Sequence, residues 1–578
     1  MDAQRKAEPA HRGAWYAGQL LLVLLAGASW LALSALNIWM GELNQDEGWY
    51  LNAAKLLTEG QLPYRDFAFT QSPMLPLVYG AVYHWGRAYG LLGGRVLTWL
   101  LGTLGLLAAV VLAVRAGPRR APRFTAWLCL IPIAINVYQS YFTTIVKTYA
   151  LASVFLAGGL ALLSFVGPKK GFRAALGAGF LLACAAATRI SLGAALALGG
   201  LYLLTCRKRL KAWAWLDFGI GGGLGLALTL LPFMALGRDG FRFGILEYHA
   251  LREAGPWLAQ LAYKVGCLSR LAQAYFPAVV AGLFLLIVAV RFLLLRDPGT
   301  DSFDPGAGAE PEPGDIAPRF NSFLWITVMV LGLVHLAAPF PYDDYQVPVY
   351  PVFCAALAAT GARWWLREEG RRYGGESVPR RGSRRQAVLV VAWLVCALHA
   401  FAAPQAQSWF VAGRDRIWWR LRTQSPVAQL RDMARWITDL NVAAQGAQLL
   451  TQDTYLAFEA RLPVPHGLEM GPFSYYPDWP RERAEQLGVL NRDMLLELLA
   501  NQTNAPIAAF SGYGLAIRCP EVEEVDREDR LAFDEILQAR YEPVESVPGF
   551  GQAGTTLELW RLKPEIPVWN PPPAQEEE

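Results

Sequence analysis

Apolar residues are grouped into long runs separated by short polar stretches, and this pattern continues to about residue 404. About 20 consecutive apolar residues suffice for a helix to cross the hydrocarbon core of a bilayer. The pattern predicts about eleven membrane-spanning helices, at roughly 16–36, 94–115, 124–140, 146–166, 172–188, 190–206, 213–236, 271–295, 321–338, 347–366 and 387–404. The expected fold class is therefore an α-helical polytopic membrane protein.

One further apolar segment, Met74–Leu92, contains Pro76, His84 and Arg87 together with one tryptophan and three tyrosines. This composition favours a helix that lies in the membrane interface. With it left out of the count, almost every Lys and Arg cluster of the membrane region falls on one side, at 5–12, 115–123, 169–173, 207–211, 291–319 and 367–385. The positive-inside rule makes that side cytoplasmic. The sequence predicts a protein of the cytoplasmic (inner) membrane, with its N-terminus inside and its C-terminal domain outside.

The spans stop near residue 404 and the chain becomes polar. Residues 1–404 are the expected membrane domain, residues 405–570 a soluble extracytoplasmic α/β domain, and residues 571–578 a disordered tail rich in Pro and Glu. Within the polar domain the pattern predicts helices at 426–440 and 482–500 and strands at 448–452, 506–510 and 555–562.

Composition and missing motifs narrow the function classes. The chain is 54% hydrophobic with a mean hydropathy of +0.25 and a formal net charge of +4. The basic residues belong to loops beside anionic lipid, and no nucleic-acid signature accompanies them. The sequence has no glycine-rich nucleotide-binding loop and no Cys/His metal spacing. An activated donor, if one is used, is therefore expected to arrive through the membrane.

The loop after the first span, within the outer segment 37–92, carries two adjacent carboxylates, Asp46 and Glu47. Acids near the start of a helix stabilise its N-terminus, which is one interpretation. The other is catalysis, because a carboxylate near lipid can accept a proton from an acceptor hydroxyl. In that hypothesis Asp46 is the base, Glu47 is its neighbour, and Tyr50 lies one turn further on the same face.

Cations near the predicted outer face could neutralise an anionic leaving group or a lipid phosphate. The candidates are Arg65, Lys147, Arg189 and Arg252. Simple snorkelling to the interface is an alternative for Lys147 and Arg189, and Arg65 could merely pair with Asp66. Another outer loop contains Asp343 and Asp344, which could bind a cation, a sugar hydroxyl or no ligand.

These motifs resemble a known family. The residues that carry the likeness are Asp46-Glu47-x-x-Tyr50, Pro63-Tyr64-x-Asp66-Phe67, Pro73, Arg95-Val-Leu and Tyr345-Gln-Val-Pro-Val-Tyr-Pro351. Together they resemble GT-C glycosyltransferases, and more closely glycosyltransferase family 39, with its protein O-mannosyltransferases and the lipid A aminoarabinose transferases.

The resemblance implies a polyprenyl-phosphate sugar donor, a lipid, protein or glycan acceptor, and inversion at the anomeric carbon. It implies that Asp46 is the catalytic base, with Tyr50 and Tyr64 as substrate-binding aromatic residues. No cofactor is required by this expectation, although a divalent cation is compatible with it. Where many relatives have a lysine before the proline of the interfacial helix, this chain has Gln71-Ser72-Pro73. Another cation, Arg65, Lys147 or Arg252, would then have to bind the donor phosphate.

Two other classes also have many spans. A lipid or sugar transporter or flippase is expected to show inverted repeats or broken helices with acids at the bilayer midplane, whereas the acids here gather at one face. An O-antigen ligase or polymerase shares the lipid-linked chemistry, but its main functional loop is expected late in the chain. The sequence thus favours extracytoplasmic glycosyl transfer.

Overall fold

The computed structural model describes residues 2–168, 171–211, 213–251, 256–294, 317–373, 381–410, 423–440 and 447–564. In chain order, its helices are α1 (Asp2–Met40), α2 (Gln45–Thr58), α3 (Met74–Gly86), α4 (Gly90–Ala116), α5 (Pro122–Ala134), α6 (Val137–Phe142), α7 (Thr148–Leu163), α8 (Phe172–Thr188), α9 (Gly193–Thr205), α10 (Ala214–Leu236), α11 (Arg238–Arg242), α12 (Tyr248–Ala250), α13 (Trp257–Ala274), α14 (Phe276–Leu294), α15 (Ala317–Ala337), α16 (Tyr350–Tyr373), α17 (Arg381–Phe410), α18 (Pro426–Leu440), α19 (Thr454–Ala460), α20 (Arg481–Leu487), α21 (Arg492–Asn501) and α22 (Arg527–Arg540). The strands are β1 (Leu449–Leu450), β2 (Ile507–Phe510), β3 (Ile517–Arg518), β4 (Glu523–Glu524), β5 (Tyr541–Phe550) and β6 (Thr555–Leu562). The predicted tail 571–578 lies outside the described residues.

The chain forms two compact units. The first comprises Met1–Ile38, Val96–Thr229 and Ala254–Ala412, and the second comprises Trp39–Arg95, Leu230–Glu253 and Gly413–Glu578. The loop that follows the first span therefore belongs to the same unit as the C-terminal region. The sequence pattern alone predicts a division near residue 404, which remains a prediction.

Every predicted span coincides with described helical structure, and the polytopic α-helical class is confirmed. Within the described part of the chain, five helices are long and apolar enough to cross a membrane, or six if one bent pair counts as a span. This number is smaller than the predicted eleven because other apolar helices are short. For example, α5 ends at Ala134, and Asn136 starts α6 as its N-cap by accepting a hydrogen bond from the Gln139 amide.

The predicted interfacial segment Met74–Leu92 is helical, but it does not end at Leu92. Helix α3 ends at Gly86, a 3₁₀ turn spans Arg87–Tyr89, and α4 starts at Gly90, whose φ of 58° lies in the left-handed region. A side chain other than glycine is strained in that conformation. Together α3 and α4 form an apolar run of 43 residues.

A helix that the hydrophobic pattern did not predict, α13, precedes α14 and is bent by 98° against it. Its exposed side chains include Trp257, Leu258, Leu261 and Val265, all of them apolar. Exposed apolar side chains on an amphipathic helix next to a span are typical of contact with lipid. The predicted span at 271–295 accordingly begins later, at Phe276.

The C-terminal region of the second unit contains a four-stranded sheet in the order β1-β2-β6-β5. Strand β1 is parallel to β2, and β6 is antiparallel to both β2 and β5. The predicted strands at 448–452, 506–510 and 555–562 correspond to β1, β2 and β6, and α18 matches the predicted helix at 426–440. The predicted helix at 482–500 is two helices, because Gly488 ends α20 with a φ of 67° and Asn491 caps α21.

Candidate active site

The acidic pair lies in the first turn of α2, which begins with a capping box. The Asn44 side chain accepts from the Asp46 amide at 3.1 Å, and the Glu47 carboxylate accepts from the Asn44 amide at 3.2 Å. Such reciprocal bonds satisfy amide groups that have no partner inside the helix. The local sequence thus fixes where the helix begins, and the capping interpretation applies to Glu47.

Glu47 also forms a fully buried ion pair with Arg95, and neither side chain is exposed to solvent. The guanidinium donates from Nε to Glu47 Oε1 at 2.8 Å and from Nη2 to Oε2 at 2.6 Å. It also donates to the carbonyl oxygens of Gly41 and Glu42, at 3.1 and 2.9 Å. Bidentate charge-assisted bonds of this kind are strong and fix orientation. Glu47 is therefore held in a structural role by Arg95.

Asp46 has a different environment, because its side chain is only partly buried. Its Oδ1 accepts from the Trp49 indole nitrogen at 3.2 Å. Tyr50 is buried and stacks on Trp49 with ring centroids 4.0 Å apart, and Phe69 packs edge-on against both rings. The aromatic residues thus pack together beside Asp46, and the Trp49 indole donates to its carboxylate.

Tyr64 lies in a tight turn of the same unit with a φ of 70°, which is unusual for a residue with a side chain. Its ring packs edge-on against Phe69, Phe233 and Phe241, and its hydroxyl donates to the Gln71 carbonyl. Burial raises the pKa of Tyr64 well above its ordinary value, with a smaller contribution from Tyr50. Tyr64 therefore stays neutral, and its hydroxyl orders the turn that follows α2.

Arg65 pairs with the adjacent Asp66, donating from Nε at 2.8 Å and from Nη2 at 2.7 Å. Asp66 also accepts from the Leu62 amide at 2.7 Å. The hydrogen bond from Arg65 lowers the pKa of Asp66. Both side chains are partly exposed, at 44% and 30%. This pairing is the simpler of the two interpretations that the sequence leaves open for Arg65.

The first unit contains a second group of charged candidates. Lys147 Nζ lies 3.4 Å from Asp344 Oδ2, with both side chains largely buried. Arg270 Nε donates to Asp343 Oδ1 at 3.1 Å, and the Tyr138 hydroxyl donates to Asp343 Oδ2 at 2.8 Å. Burial raises the pKa of Asp344, and the positive charge of Lys147 opposes that rise. Each acid of the Asp343–Asp344 pair is thus neutralised by its own cation.

Arg189 belongs to the same group. Its guanidinium donates to the Thr148 hydroxyl at 2.9 Å and lies over the rings of Tyr149 and Tyr345, 4.8 and 4.5 Å from their centroids. Cation–π contact of this kind keeps an arginine charged in a poorly hydrated place. The first unit thus brings three cations, Lys147, Arg189 and Arg270, together with the two acids.

The predicted residues thus fall into two sets. Asp46, Glu47, Tyr50, Tyr64 and Arg65 lie in the second unit, and Lys147, Arg189, Asp343 and Asp344 lie in the first. Arg252 lies outside the described residues. Among the described residues, no group of three or more His, Cys, Asp or Glu side chains is placed to hold a metal ion.

Sequence reasoning did not assign roles to Arg95 or Arg270. The available signal was an arginine at the edge of a hydrophobic run, where a charge needs a partner. The partner of Arg95, Glu47, is 48 residues earlier, and that of Arg270, Asp343, is 73 residues later. Neither pairing follows from local spacing.

Comparison with known proteins finds no matching family model and no matching curated protein. The solved structures that match over most of the chain include two of ArnT from Cupriavidus metallidurans. The one bound to undecaprenyl phosphate has a TM-score of 0.53 at 14% identity, covering 93% of this chain and 97% of that chain. The apo structure has a TM-score of 0.56 at 16% identity, covering 94% and 98%.

The chain has the GT-C fold. The likeness predicted from the outer-loop motifs, to GT-C proteins and lipid A aminoarabinose transferases, is therefore confirmed at the level of the fold. At such low identity the comparison establishes architecture and not activity. Together with the long apolar helices, it identifies an integral membrane protein.

Proposed function

We propose that this protein is an inverting membrane glycosyltransferase. It moves a sugar from a polyprenyl-phosphate donor to a hydroxyl of a lipid, protein or glycan acceptor, with Asp46 as the general base. The observation that carries the proposal is the contrast within the acidic pair. Glu47 forms a buried ion pair with Arg95, whereas Asp46, beside it in the first turn of α2, is partly exposed.

The reaction requires one proton acceptor and neutralisation of one leaving group. The acceptor oxygen gives its proton to the Asp46 carboxylate and attacks the anomeric carbon of the sugar. The bond between that carbon and the donor phosphate oxygen breaks, and the electron pair leaves with the polyprenyl phosphate. Attack from the face opposite the phosphate inverts the anomeric configuration.

Lys147 and Arg189 are the preferred partners for the leaving phosphate. Arg65 is a weaker candidate because it is partly exposed, at 44%, so its charge is screened by water. Lys147 and Arg189 lie instead in a poorly hydrated environment, where a positive charge stabilises a developing anion more strongly than in water. A divalent cation is compatible with this scheme but is not required by it.

The distribution of basic loops supports an orientation in which the N-terminus lies on the cytoplasmic side of the inner membrane. Asp46 and the C-terminal region would then face outward, where lipid-linked donors are consumed. The GT-C fold shared with an ArnT structure bound to undecaprenyl phosphate supports a lipid-linked donor. It also favours transfer over a flippase or transporter and over an O-antigen ligase or polymerase.

Sugar transfer in proteoliposomes tests the proposal. Wild type, Asp46→Asn and Glu59→Gln receive radiolabelled polyprenyl-phosphate sugars and an acceptor extract. Glu59 is a matched control, because it is a carboxylate directly after the same helix and its ion pair with Lys55 is long at 4.0 Å. We expect Asp46→Asn to lower the rate by about 10²–10⁴-fold, the usual effect of losing a general base. Glu59→Gln is expected to retain wild-type activity.

Each outcome has a definite meaning. Near-normal turnover by correctly inserted Asp46→Asn contradicts the assignment of the base. The absence of transfer by wild type from every donor contradicts glycosyl transfer and favours a transporter. Movement of unlabelled lipid-linked sugar across the vesicle membrane would then be the activity to measure.

A further inference from the structure

A second buried carboxylate, Asp453, lies in the C-terminal region and is connected to the start of α2. Its side chain is fully buried. Oδ1 accepts from Gln45 Nε2 at 2.8 Å, from the Tyr455 hydroxyl at 2.8 Å and from Ser511 Oγ at 2.7 Å. Oδ2 accepts from the Ser511 amide at 2.7 Å. Four donors thus hold the carboxylate, three on Oδ1 and one on Oδ2.

Gln45 is the first residue of α2 and is separated from Asp453 by 408 positions in the chain. Its backbone amide donates to the Gln552 side chain at 2.9 Å. The backbone of Gly48, in the same turn, packs closely against Thr454. A Cβ added to this glycine would lie only 2.7 Å from the Thr454 carbonyl carbon, which is too close for an ordinary contact. The C-terminal region therefore holds the start of α2 through a side chain, a backbone amide and a glycine contact.

Asp46 lies between two anchored neighbours. Gln45 is tied to Asp453, and Glu47 is tied to Arg95. With residues 45 and 47 both fixed, the Cα of Asp46 and the direction of its Cα–Cβ bond are fixed as well. Misplacing a catalytic group by about 1 Å can lower a rate by about 10²-fold.

We propose that Asp453 is a positioning residue, which acts through Gln45 to hold the Asp46 carboxylate in its working geometry. The inference rests on the proposed function of Asp46 as general base. It assigns a role in catalysis to the C-terminal region that is separate from acceptor recognition. Asp453 itself is fully buried and bonded on both oxygens, so its effect on substrate passes through α2.

The test compares Asp453→Asn with Asp529→Asn. Asp529 is a matched control, because it is a buried carboxylate of the same region that accepts from the Tyr475 hydroxyl at 2.6 Å and from Arg492 Nε at 2.5 Å. Both variants are expected to lower thermal stability. Only Asp453→Asn is expected to lower kcat, by about 10- to 100-fold, with little change in the KM for the donor.

Hydrogen exchange gives a readout that does not depend on transfer activity. We expect amides 45–50 to exchange faster in Asp453→Asn and to remain protected in Asp529→Asn. If wild type transfers no sugar, the proposed function fails, whereas the exchange comparison still decides whether Asp453 holds α2. Equal protection of amides 45–50 in the two variants, or a wild-type kcat in Asp453→Asn, overturns the inference.

Gln45→Leu provides a second variant that leaves three of the donors to Asp453 in place. It keeps the test informative where Asp453→Asn fails to fold. Because both residues act through one hydrogen bond, the double variant is expected to have the kcat of the slower single variant. Losses that multiply in the double variant contradict a pathway through Gln45.

Discussion

The buried pair of Arg95 and Glu47 gives a stability prediction that follows directly from its geometry. Both side chains have zero exposure, and Arg95 is bonded to two carboxylate oxygens and two carbonyl oxygens. Glu47→Leu removes both charge-assisted bonds and leaves the guanidinium buried without its carboxylate partner. Removing one partner of a buried ion pair costs about 3–5 kcal/mol, and we expect a loss in this range.

The magnitude can be checked from the bonds themselves. Hydrogen bonds to charged groups contribute about 1.5–3 kcal/mol each, so two of them account for roughly the same loss. The capping bond from the Asn44 amide to Glu47 is also removed, which adds about 1 kcal/mol. Arg95→Met is expected to cost a similar amount, because it leaves the Glu47 carboxylate buried.

The assay is thermal unfolding in detergent for Glu47→Leu, Arg95→Met, the double variant and the control Glu59→Leu. The double variant replaces the whole pair by apolar side chains, so we expect it to be more stable than either single variant. A double variant as unstable as the sum of the single variants would contradict the argument. So would a loss in Glu47→Leu no larger than that in Glu59→Leu.

Two further predictions concern charge outside this pair. Lys147→Met is expected to lower kcat by about 10²–10³-fold if Lys147 stabilises the leaving phosphate, measured by sugar transfer in proteoliposomes. The control is Lys211→Met, which removes an ion pair to Asp217 at 2.8 Å in the same unit. Equal transfer activities of the two variants would exclude the proposed role of Lys147. The second prediction is a pH dependence, because a hydrogen bond to Glu469 raises the pKa of His466 above its ordinary value of 6.5. Since the folded-state pKa is raised, the stabilisation is fully present below about pH 6.5 and is lost as the pH rises through the folded value. At acidic pH, wild type should therefore be more stable than His466→Gln, as measured by thermal unfolding. The difference in the free energy of unfolding should be less than about 1 kcal/mol, because the His466 side chain is largely exposed. At alkaline pH the two proteins should be equally stable. A difference that stays constant from about pH 5 to about pH 9 would contradict this assignment.

The local sequence pattern was sufficient to predict a helix or strand where that element depends mainly on its own residues. Apolar run length indicated the helices of the membrane region, because a span needs only its own residues to satisfy its backbone. The short apolar run at 506–510 and the alternation at 555–562 identified β2 and β6 for a similar reason. Strand β5 was missed, since Pro543 and Pro548 and a largely exposed pattern hide an edge strand. The break at Gly488 was missed because one glycine is tolerated within a helical pattern.

The candidate site shows the same division. The sequence by itself determined that two acids follow the first span and suit the start of a helix, and it predicts that the basic loops lie on one side of the membrane. Only the tertiary structure decided which of the two acids is held by an ion pair, because Arg95 reaches Glu47 from another helix. It also decided that Gln45 binds Asp453 from the far end of the chain. Hydrogen bonds between residues so distant in sequence depend on packing of the whole unit, and no local spacing encodes them.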